Sequence, residues 1–343
     1  MKVLICPLNW GLGHATRSSQ LIESMIQSGH EVHLGSDGLA AVTLQKAYPQ
    51  LPMHTLASLD IQYGKWFWVK LFKQAYHLIA WDLKDQVRIK ELQDQYHFDL
   101  ILSDSRTGAR SKKTKSIMLT HQCTPIVPFN FIIDKMYWSR LKEFDEIWIP
   151  DLPNQKLSGQ LSNLPNAIKR KYTGYLSRIP NHTFDTNKNQ IKNKVLAIVS
   201  GPEPSRSDFE KKLMQELKFS NAIIVGGRPD RTNQENGLIQ YYSYLDAESL
   251  AVEIEKAEYI ICRAGYSTLM DLTAFRKKLI MVPTPGQPEQ NYLARHIQGM
   301  NMGIIWNMNQ YTWPQIKIQV DKKSAFGIEN QPELLEEAIL SLN

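Results

Sequence analysis

Short apolar runs alternate along the chain with stretches in which apolar residues return every three or four positions. Lys2 to Cys6 (KVLIC) reads as a buried strand. After it, Leu21, Ile22, Met25 and Ile26 share one face of a helix that should start near Thr16 and stop at Gly29. EVHLGS gives a second strand and residues 39–48 a second helix. Strand, helix, strand, helix with short joins opens a doubly wound parallel sheet. FDLILSDSR, SIMLTHQ and FDEIWI continue as strands, and TGYLSRIPN (173–181) reads as the last strand before a linker. The rhythm restarts at VLAIVS and runs through a helix at EKKLMQELKF, the strand AIIVGG and a short strand ending YYSYLDAE. A helix through Leu250 and Ile254 follows, then the strand YIICRAG, a helix from about Ser267 and the strand LIMVP. GIIW, an irregular polar stretch and a terminal helix in PELLEEAILSL complete the chain.

This pattern predicts an α/β protein with two Rossmann-like domains. Their expected bounds are 1–180, a linker at 181–192, 193–330, and a C-terminal helix at 331–343. The length of 343 residues agrees, since it exceeds what one ordinary core serves. Hydrophobic content of 43% and charged content of 22% are those of a soluble globular chain. Cys6, Cys123 and Cys262 lack pairing or metal-ligand spacing and read as buried thiols of a reducing compartment. No window is apolar enough for a membrane span and the N-terminal run has no cleavage site, so the expected location is the cytoplasm. A net charge of +6 is compatible with nucleotides, anionic lipid or nucleic acid and selects none of them.

Candidate chemistry gathers where strands end. In RAGYSTLMDLTAFRKKLIMVPTPGQPEQNYLA (263–294), the small-residue turn at Ala264 and Gly265 feeds a helix whose first residues include Ser267 and Thr268. A helix N-terminus presents unpaired backbone N–H groups and partial positive charge, so this turn can hold a diphosphate without a metal. Asp271 can accept from ribose hydroxyls, and Glu289 and Gln290 can bracket sugar hydroxyls. At the other end of the chain, Gly11 and Gly13 lie in the loop PLNWGLGH; a GxG alone serves equally as a tight strand-to-helix turn. His14, beyond the first strand, lies where α/β proteins bind ligands, and imidazole titrates near neutrality without help. Asp104 ends an apolar strand and either orients His14 or caps the next turn.

The segment 263–294 resembles the donor-binding signature of the MurG-related family 28 UDP-sugar transferases and, more loosely, that of the UDP-dependent glucuronosyl and glucosyl transferases. The resemblance is good over residues 195–300 and at the N-terminal glycine loop, and weak over 50–180. It implies the two-domain GT-B fold with the nucleotide sugar held mostly by the C-terminal domain. It also implies that His14 is the general base on the acceptor hydroxyl, with Asp104 as partner, as plant-type glucosyltransferases pair histidine with aspartate. By the same resemblance Ser200, Gly201 and Arg206 lie against the donor phosphates and the backbone at Tyr244 and Leu245 pairs with the base. With no metal expected, Arg206 or Arg263 is a candidate cation for the leaving UDP. Tyr266 in the turn, and Glu289 where some relatives have an amide, depart from the donor pattern and leave the sugar open.

Two stretches bear on the acceptor. YGKWFWVKLFKQAYHLIAW (63–81), with Trp66 and Lys70, is either a core helix or an interfacial helix that lays aromatic rings and lysines into an anionic leaflet. The basic run 106–115, beginning at Arg106, is either a solvated loop or a contact for the phosphate of a lipid-linked acceptor. His121 is a reserve base. The expected activity is inverting, metal-independent transfer of a hexose or N-acetylhexosamine from a UDP-sugar. The expected acceptor is a hydroxyl of a lipid-linked or cell-envelope glycan at the inner membrane face, and nucleic acid is not an expected partner. No D-x-D occurs, so no metal and no cofactor beyond the donor co-substrate is expected. A nucleotide-sugar 2-epimerase and a non-catalytic nucleotide-sugar-binding protein are the alternatives.

Overall fold

The computed structural model describes residues 1–9, 12–58, 67–126, 130–179, 191–192, 194–227 and 234–342; side chains at 12–16, 67–76, 130–132 and 234–236 fall outside the description. The chain divides into two compact units, residues 1–177 with 331–343, and residues 178–330.

The first unit contains β1 (Lys2–Pro7), α1 (Leu12–Gln27), β2 (Glu31–Ser36), α2 (Gly38–Ala47) and β3 (Met53–Thr55). After these come α3 (Phe67–Tyr96), β4 (Leu100–Asp104), β5 (Lys115–Leu119), α4 (Asn130–Leu141), β6 (Glu146–Ile149) and β7 (Arg170–Tyr172). The sheet order is β3-β2-β1-β4-β5-β6-β7 with every pairing parallel. Strands covered on both faces must be apolar throughout, which is why KVLIC and LIL carry no alternation. Val3 and Ile5 pack with Leu21, Ile22 and Met25 of α1, while Leu4 and Cys6 pack with Ile89 and Leu92 of α3.

The second unit contains β8 (Val195–Ile198), α5 (Ser205–Glu216), β9 (Ala222–Val225), β10 (Gln234–Asn236), β11 (Ile239–Tyr242) and α6 (Ala247–Lys256). It continues with β12 (Tyr259–Cys262), α7 (Tyr266–Leu272), β13 (Lys278–Met281), α8 (Pro288–Gly299), β14 (Ile304–Ile305) and α9 (Trp313–Asp321). Its order is β10-β11-β9-β8-β12-β13-β14, parallel except for the β10–β11 hairpin. The last helix, α10 (Glu333–Leu340), belongs to the first unit, where Leu335, Ala338 and Ile339 join the core beside Val3 and Ile5.

Both sheets reverse their direction of growth beside the first strand laid down. In the first unit the chain builds outward from β1 to β3, then returns through α3 to place β4 on the other side of β1. In the second it builds from β8 to β11 and returns through α6 to β12. At such a switch point the connections leave in opposite directions and open a crevice at the carboxyl ends of the strands. Pro7 pairs with Asp104 at one switch point and Ile198 with Cys262 at the other.

Several sequence expectations need correction. The first helix begins at Leu12, so His14 lies in its first turn instead of in a loop. Residues 173–179 form no strand; β7 ends at Tyr172, and Thr173 and Gly174 are tied to Ile149 and Asp151 by backbone bonds. The stretch taken as irregular after β14 contains α9, started by a capping box in which Thr312 and Gln315 satisfy each other's backbone groups. The aromatic segment belongs to a 30-residue helix, α3. Trp66 lies outside the described residues, as does the Lys70 side chain, and the side chains of α3 are described from His77 onward. There Trp81, Asp85, Ile89 and Leu92 face inward, and Ile79, Leu83 and Val87 are 49%, 55% and 60% exposed. No described helix is long and apolar enough to cross a membrane.

Candidate active site

At the carboxyl edge of the first sheet, Asp104 is fully buried and held by α1. Arg17 Nε donates to Asp104 Oδ2 at 2.9 Å, Arg17 Nη2 donates to Oδ1, and Ser18 Oγ donates to Oδ2 at 3.0 Å. The same guanidinium reaches Ser105 Oγ at 3.0 Å and His121 Nδ1 at 3.1 Å. His121, just past β5, is therefore brought to the end of β4. Arg17 and Ser18 stand three and four residues after His14, one turn along the same side of α1. The His14 side chain and Gly11 lie outside the described residues, and Gly13 joins His14 in the first turn. Sequence reasoning missed Arg17. Its signal was available: an arginine one turn after the candidate base, on the helix face that also carries Leu21 and must turn inward.

Arg106 does not stand in a solvated loop. It is fully buried, with Nε donating to Asp85 Oδ2 at 2.5 Å and Nη1 to Asp37 Oδ1 at 2.7 Å. Nη2 bonds Asp85 Oδ1 at 3.0 Å and also the Ala57 carbonyl, and the guanidinium carbon is 5.2 Å from the Trp81 ring centre. Burial opposes its charge, but Asp85 and Asp37 outweigh burial and hold its pKa above the ordinary value. Burial pushes the Asp85 carboxyl up in spite of Arg106. Arg110 is also inside, bound to Glu143 at 2.5 Å and near Asp82. The run that looks basic on paper is thus partly a clamp: its two arginines fasten the β4–β5 loop to α3 and to the turn that follows α4. Gly108 allows the approach, since a Cβ there would lie 2.5 Å from Asp85 Cβ and 2.6 Å from the Asp82 carbonyl.

At the switch point of the second sheet three loops meet: 199–204 after β8, 263–265 after β12 and 282–287 after β13. Gly201, exposed with φ +109°, takes a conformation that side chains disfavour. Ser200 is half-buried beside it. Arg263 is buried and ties the loops together: Nη1 donates to the carbonyls of Val282 and Pro283 at 2.9 and 3.2 Å, and Nη2 to the Ser205 carbonyl at 2.9 Å. Its guanidinium lies 4.1 Å over Phe209, and burial pushes its pKa down to about 10 against the pull of Asp208 and Cys262. Arg263 is therefore a brace behind the turn, and a direct phosphate contact is not supported by its geometry. Arg206 donates to the Gly227 carbonyl at 3.1 Å and to Glu203 at 3.3 Å from a partly exposed position.

Gly265 caps α7 in extended conformation, with Ala264 buried before it and Ser267 and Thr268 half-buried in the first turn. Asp271 sits on α7 with its carboxylate engaged by Arg178: Oδ1 accepts the Arg178 N–H at 3.1 Å and Oδ2 lies 2.8 Å from Nε. A ribose hydroxyl would meet a carboxylate already paired. Gln290 Oε1 accepts the Thr284 N–H at 2.8 Å and so shapes the 282–287 loop, while Glu289 is half-buried in the first turn of α8. Thr284, unremarked in the sequence, is 2% exposed; its hydroxyl has no hydrogen-bond partner among the described residues and would be 3.6 Å from a Cβ on Gly201. A buried hydroxyl without a partner is costly and is a common mark of a binding site. Tyr244 and Leu245 lie in the loop between β11 and α6, Tyr244 exposed and Leu245 half-buried.

Residues 205–333 match the glycosyltransferase family 28 C-terminal domain. A protein of Methanosarcina acetivorans described as an uncharacterized glycosyltransferase is 22% identical over 335 residues, covering 92% of this chain and 87% of its own. The solved spinosyn rhamnosyltransferase SpnG, complexed with thymidine diphosphate, is similar with a TM-score of 0.62 at 14% identity, over 100% of this chain and 91% of its own. MurG of Acinetobacter baumannii is similar with a TM-score of 0.59 at 14% identity, over 100% of this chain and 94% of its own. The fold is GT-B, as the sequence resemblance implied.

Proposed function

We propose that the chain is a glycosyltransferase that transfers a hexose or N-acetylhexosamine from a UDP-sugar, with inversion and without a metal; the GT-B fold and the match of residues 205–333 to the family 28 C-terminal domain support this reading. The observation that carries this reading is that the matched residues 205–333 include two of the three loops at the switch point of the second sheet, 263–265 and 282–287. The start of α7, Gly201, Ser200 and the buried Thr284 hydroxyl are the groups offered to a diphosphate there. Backbone N–H groups and a helix dipole would stabilise charge on departing UDP there.

In the proposed reaction His14 takes the proton of the acceptor hydroxyl as its oxygen bonds to the anomeric carbon, and the bond from that carbon to the UDP oxygen breaks. Asp104 orients His14. Attack from the face opposite UDP gives a β-linked product from an α-linked donor.

The acceptor reading is a lipid-linked or cell-envelope glycan met by peripheral contact with an anionic membrane. Its support is the apolar stripe Ile79, Leu83 and Val87 on α3, in line with the aromatic and lysine-rich sequence that precedes it. Cosedimentation with phosphatidylglycerol vesicles, lost on Leu83→Glu, is the expected result; an unchanged bound fraction in the variant removes this part.

The central test is turnover of a UDP-sugar panel in EDTA, with the anomer of the product determined. His14→Ala is expected to lower turnover roughly 100-fold or more with UDP affinity kept, on the scale of general-base effects. An α-linked product, or normal turnover in that variant, refutes the base. Epimerised sugar formed without acceptor, or tight UDP binding with no reaction, would replace transfer with the epimerase or the binding protein.

A further inference from the structure

The cluster at the end of β4 contains a constraint on protonation that its distances impose. Arg17 Nη1 lies 3.1 Å from His121 Nδ1 in hydrogen-bond geometry. A guanidinium has five N–H donors and no acceptor, so the imidazole nitrogen it faces must offer its lone pair. Arg17 cannot swing away to release that nitrogen, because Nε and Nη2 are committed to the two oxygens of Asp104 and Nη2 also to Ser105 Oγ. The guanidinium and carboxylate are both 1% exposed at their side chains, so the pair is held by burial as well as by its bidentate form.

We infer that Arg17 is a positioning residue that fixes His121 as the tautomer protonated on Nε2, a hydrogen-bond donor at the carboxyl edge of the first sheet. With Nδ1 turned to the guanidinium and Nε2 already carrying hydrogen, the ring has no lone pair with which to take a substrate proton. His121 is thereby removed as an alternative base. A ring protonated on Nε2 can donate to an oxygen but cannot take a proton from one. One charged pair thus divides the work of two histidines: Asp104 accepts from the histidine that takes the proton, and Arg17 donates to the one that does not. This division rests on the proposed transferase reading, whereas the tautomer itself does not.

The test is made on the full-length chain labelled with 15N-histidine, using long-range proton–nitrogen correlation spectra of the imidazole rings. His121 is assigned as the ring pattern lost in His121→Gln, a change outside the ion pair. The expected pattern at neutral pH is an unprotonated Nδ1 and a protonated Nε2. A ring protonated on Nδ1, or on both nitrogens, overturns the inference. In Arg17→Met, checked for folding by its methyl spectrum, the pattern should lose its single-tautomer form; an unchanged pattern in a folded variant also overturns it. If Arg17→Met does not fold, the wild-type spectrum alone decides. A chain that consumes no UDP-sugar would refute the transferase and leave the tautomer result standing.

Discussion

Replacing Arg106 by methionine separates the two readings of that residue. Methionine keeps part of the stem's bulk against Trp81 but withdraws the guanidinium from Asp85, Asp37 and the Ala57 carbonyl. Asp85 keeps a bond from the Ala57 N–H, and Asp37 keeps bonds from Ser58 and Asn9, so neither carboxylate is wholly orphaned. Both stay buried without a counter-charge. Breaking a buried pair from one side costs about 3–5 kcal/mol, which lowers the melting temperature of a unit this size by roughly 10 °C at 2–4 °C per kcal/mol. The loss should depend on pH in a defined direction. Without Arg106 the folded pKa of Asp85, already raised by burial, rises further above its unfolded value. Stability tied to such a carboxyl is present below the unfolded pKa and lost as pH rises through the folded one. The deficit of Arg106→Met should therefore be larger at pH 8 than at pH 5. Urea unfolding of variant and wild type at both values, followed by circular dichroism, measures it. A variant as stable as wild type but impaired in transfer would restore Arg106 to the acceptor side and refute the clamp.

Three further outcomes follow from other parts of the molecule. His54 stacks on His33 with Nε2 2.9 Å from His33 Nδ1, and burial, then His33 and Arg88, push its pKa down to about 4. The unfolded chain takes that proton first, so stability is complete above about pH 6.5 and declines toward pH 4, by roughly 2–3 kcal/mol; His54→Gln should flatten this slope in urea titrations, and an equal slope refutes the assignment. Gly108→Ala should destabilise by about 1–3 kcal/mol because the new methyl meets the Asp82 carbonyl. Gly299→Ala, with nothing within 4 Å of its Cβ, should melt no lower than wild type, and equal melting of the two variants counts against the clash. Arg263→Met leaves the carbonyls of Val282, Pro283 and Ser205 short of a donor and should cost roughly 2–4 kcal/mol; calorimetry should also show weaker UDP binding, and unchanged UDP affinity would detach the brace from the donor site.

Much of the fold was legible because both sheets are parallel and covered. A strand buried on both faces has to be written as an unbroken apolar run, and KVLIC, LIL and YIIC stand out for that reason. Elements held by other forces were not legible. Helix α9 has the β-branched, polar sequence WPQIKIQVD, weak in helical propensity, and is held by its capping box and by Trp313, Ile316 and Val320 in the core. Residues 173–179 have strand-like composition, yet Tyr175, Leu176 and Ile179 are buried without joining the sheet. Their burial satisfies the apolar pattern as well as a strand would.

The strand ends that carry the candidate groups were legible, but the surroundings of their charges were not. Strand ends located the candidate groups, because the edge of a doubly wound sheet is set by topology, and topology by apolar rhythm. Arginine, however, carries the same five donors whether it reads a phosphate or braces a loop, and only its surroundings decide between these. Arg106, Arg263 and Arg17 are all buried, and each is committed to carboxylates, backbone carbonyls or an imidazole of its own unit. A buried guanidinium already paired in this way would need to break several bonds to meet a phosphate, at a cost of about 1–3 kcal/mol for each charged bond lost. On the proposed reading, UDP would draw mainly on groups that lose nothing by engaging it: the half-buried Ser200, the backbone around Gly201 and Gly265, and the Thr284 hydroxyl, which has no hydrogen-bond partner among the described residues. Thr284→Val removes that hydroxyl while keeping the side chain's shape. It is expected to raise stability slightly, by ending the burial of an unpaired polar atom, and to weaken UDP binding roughly three- to tenfold, the worth of one hydrogen bond. Thermal melting and UDP titration of the same preparation would show the two effects with opposite signs. Stability and affinity lost together would mean that the hydroxyl serves the fold, and the donor site would then have to be sought away from Gly201.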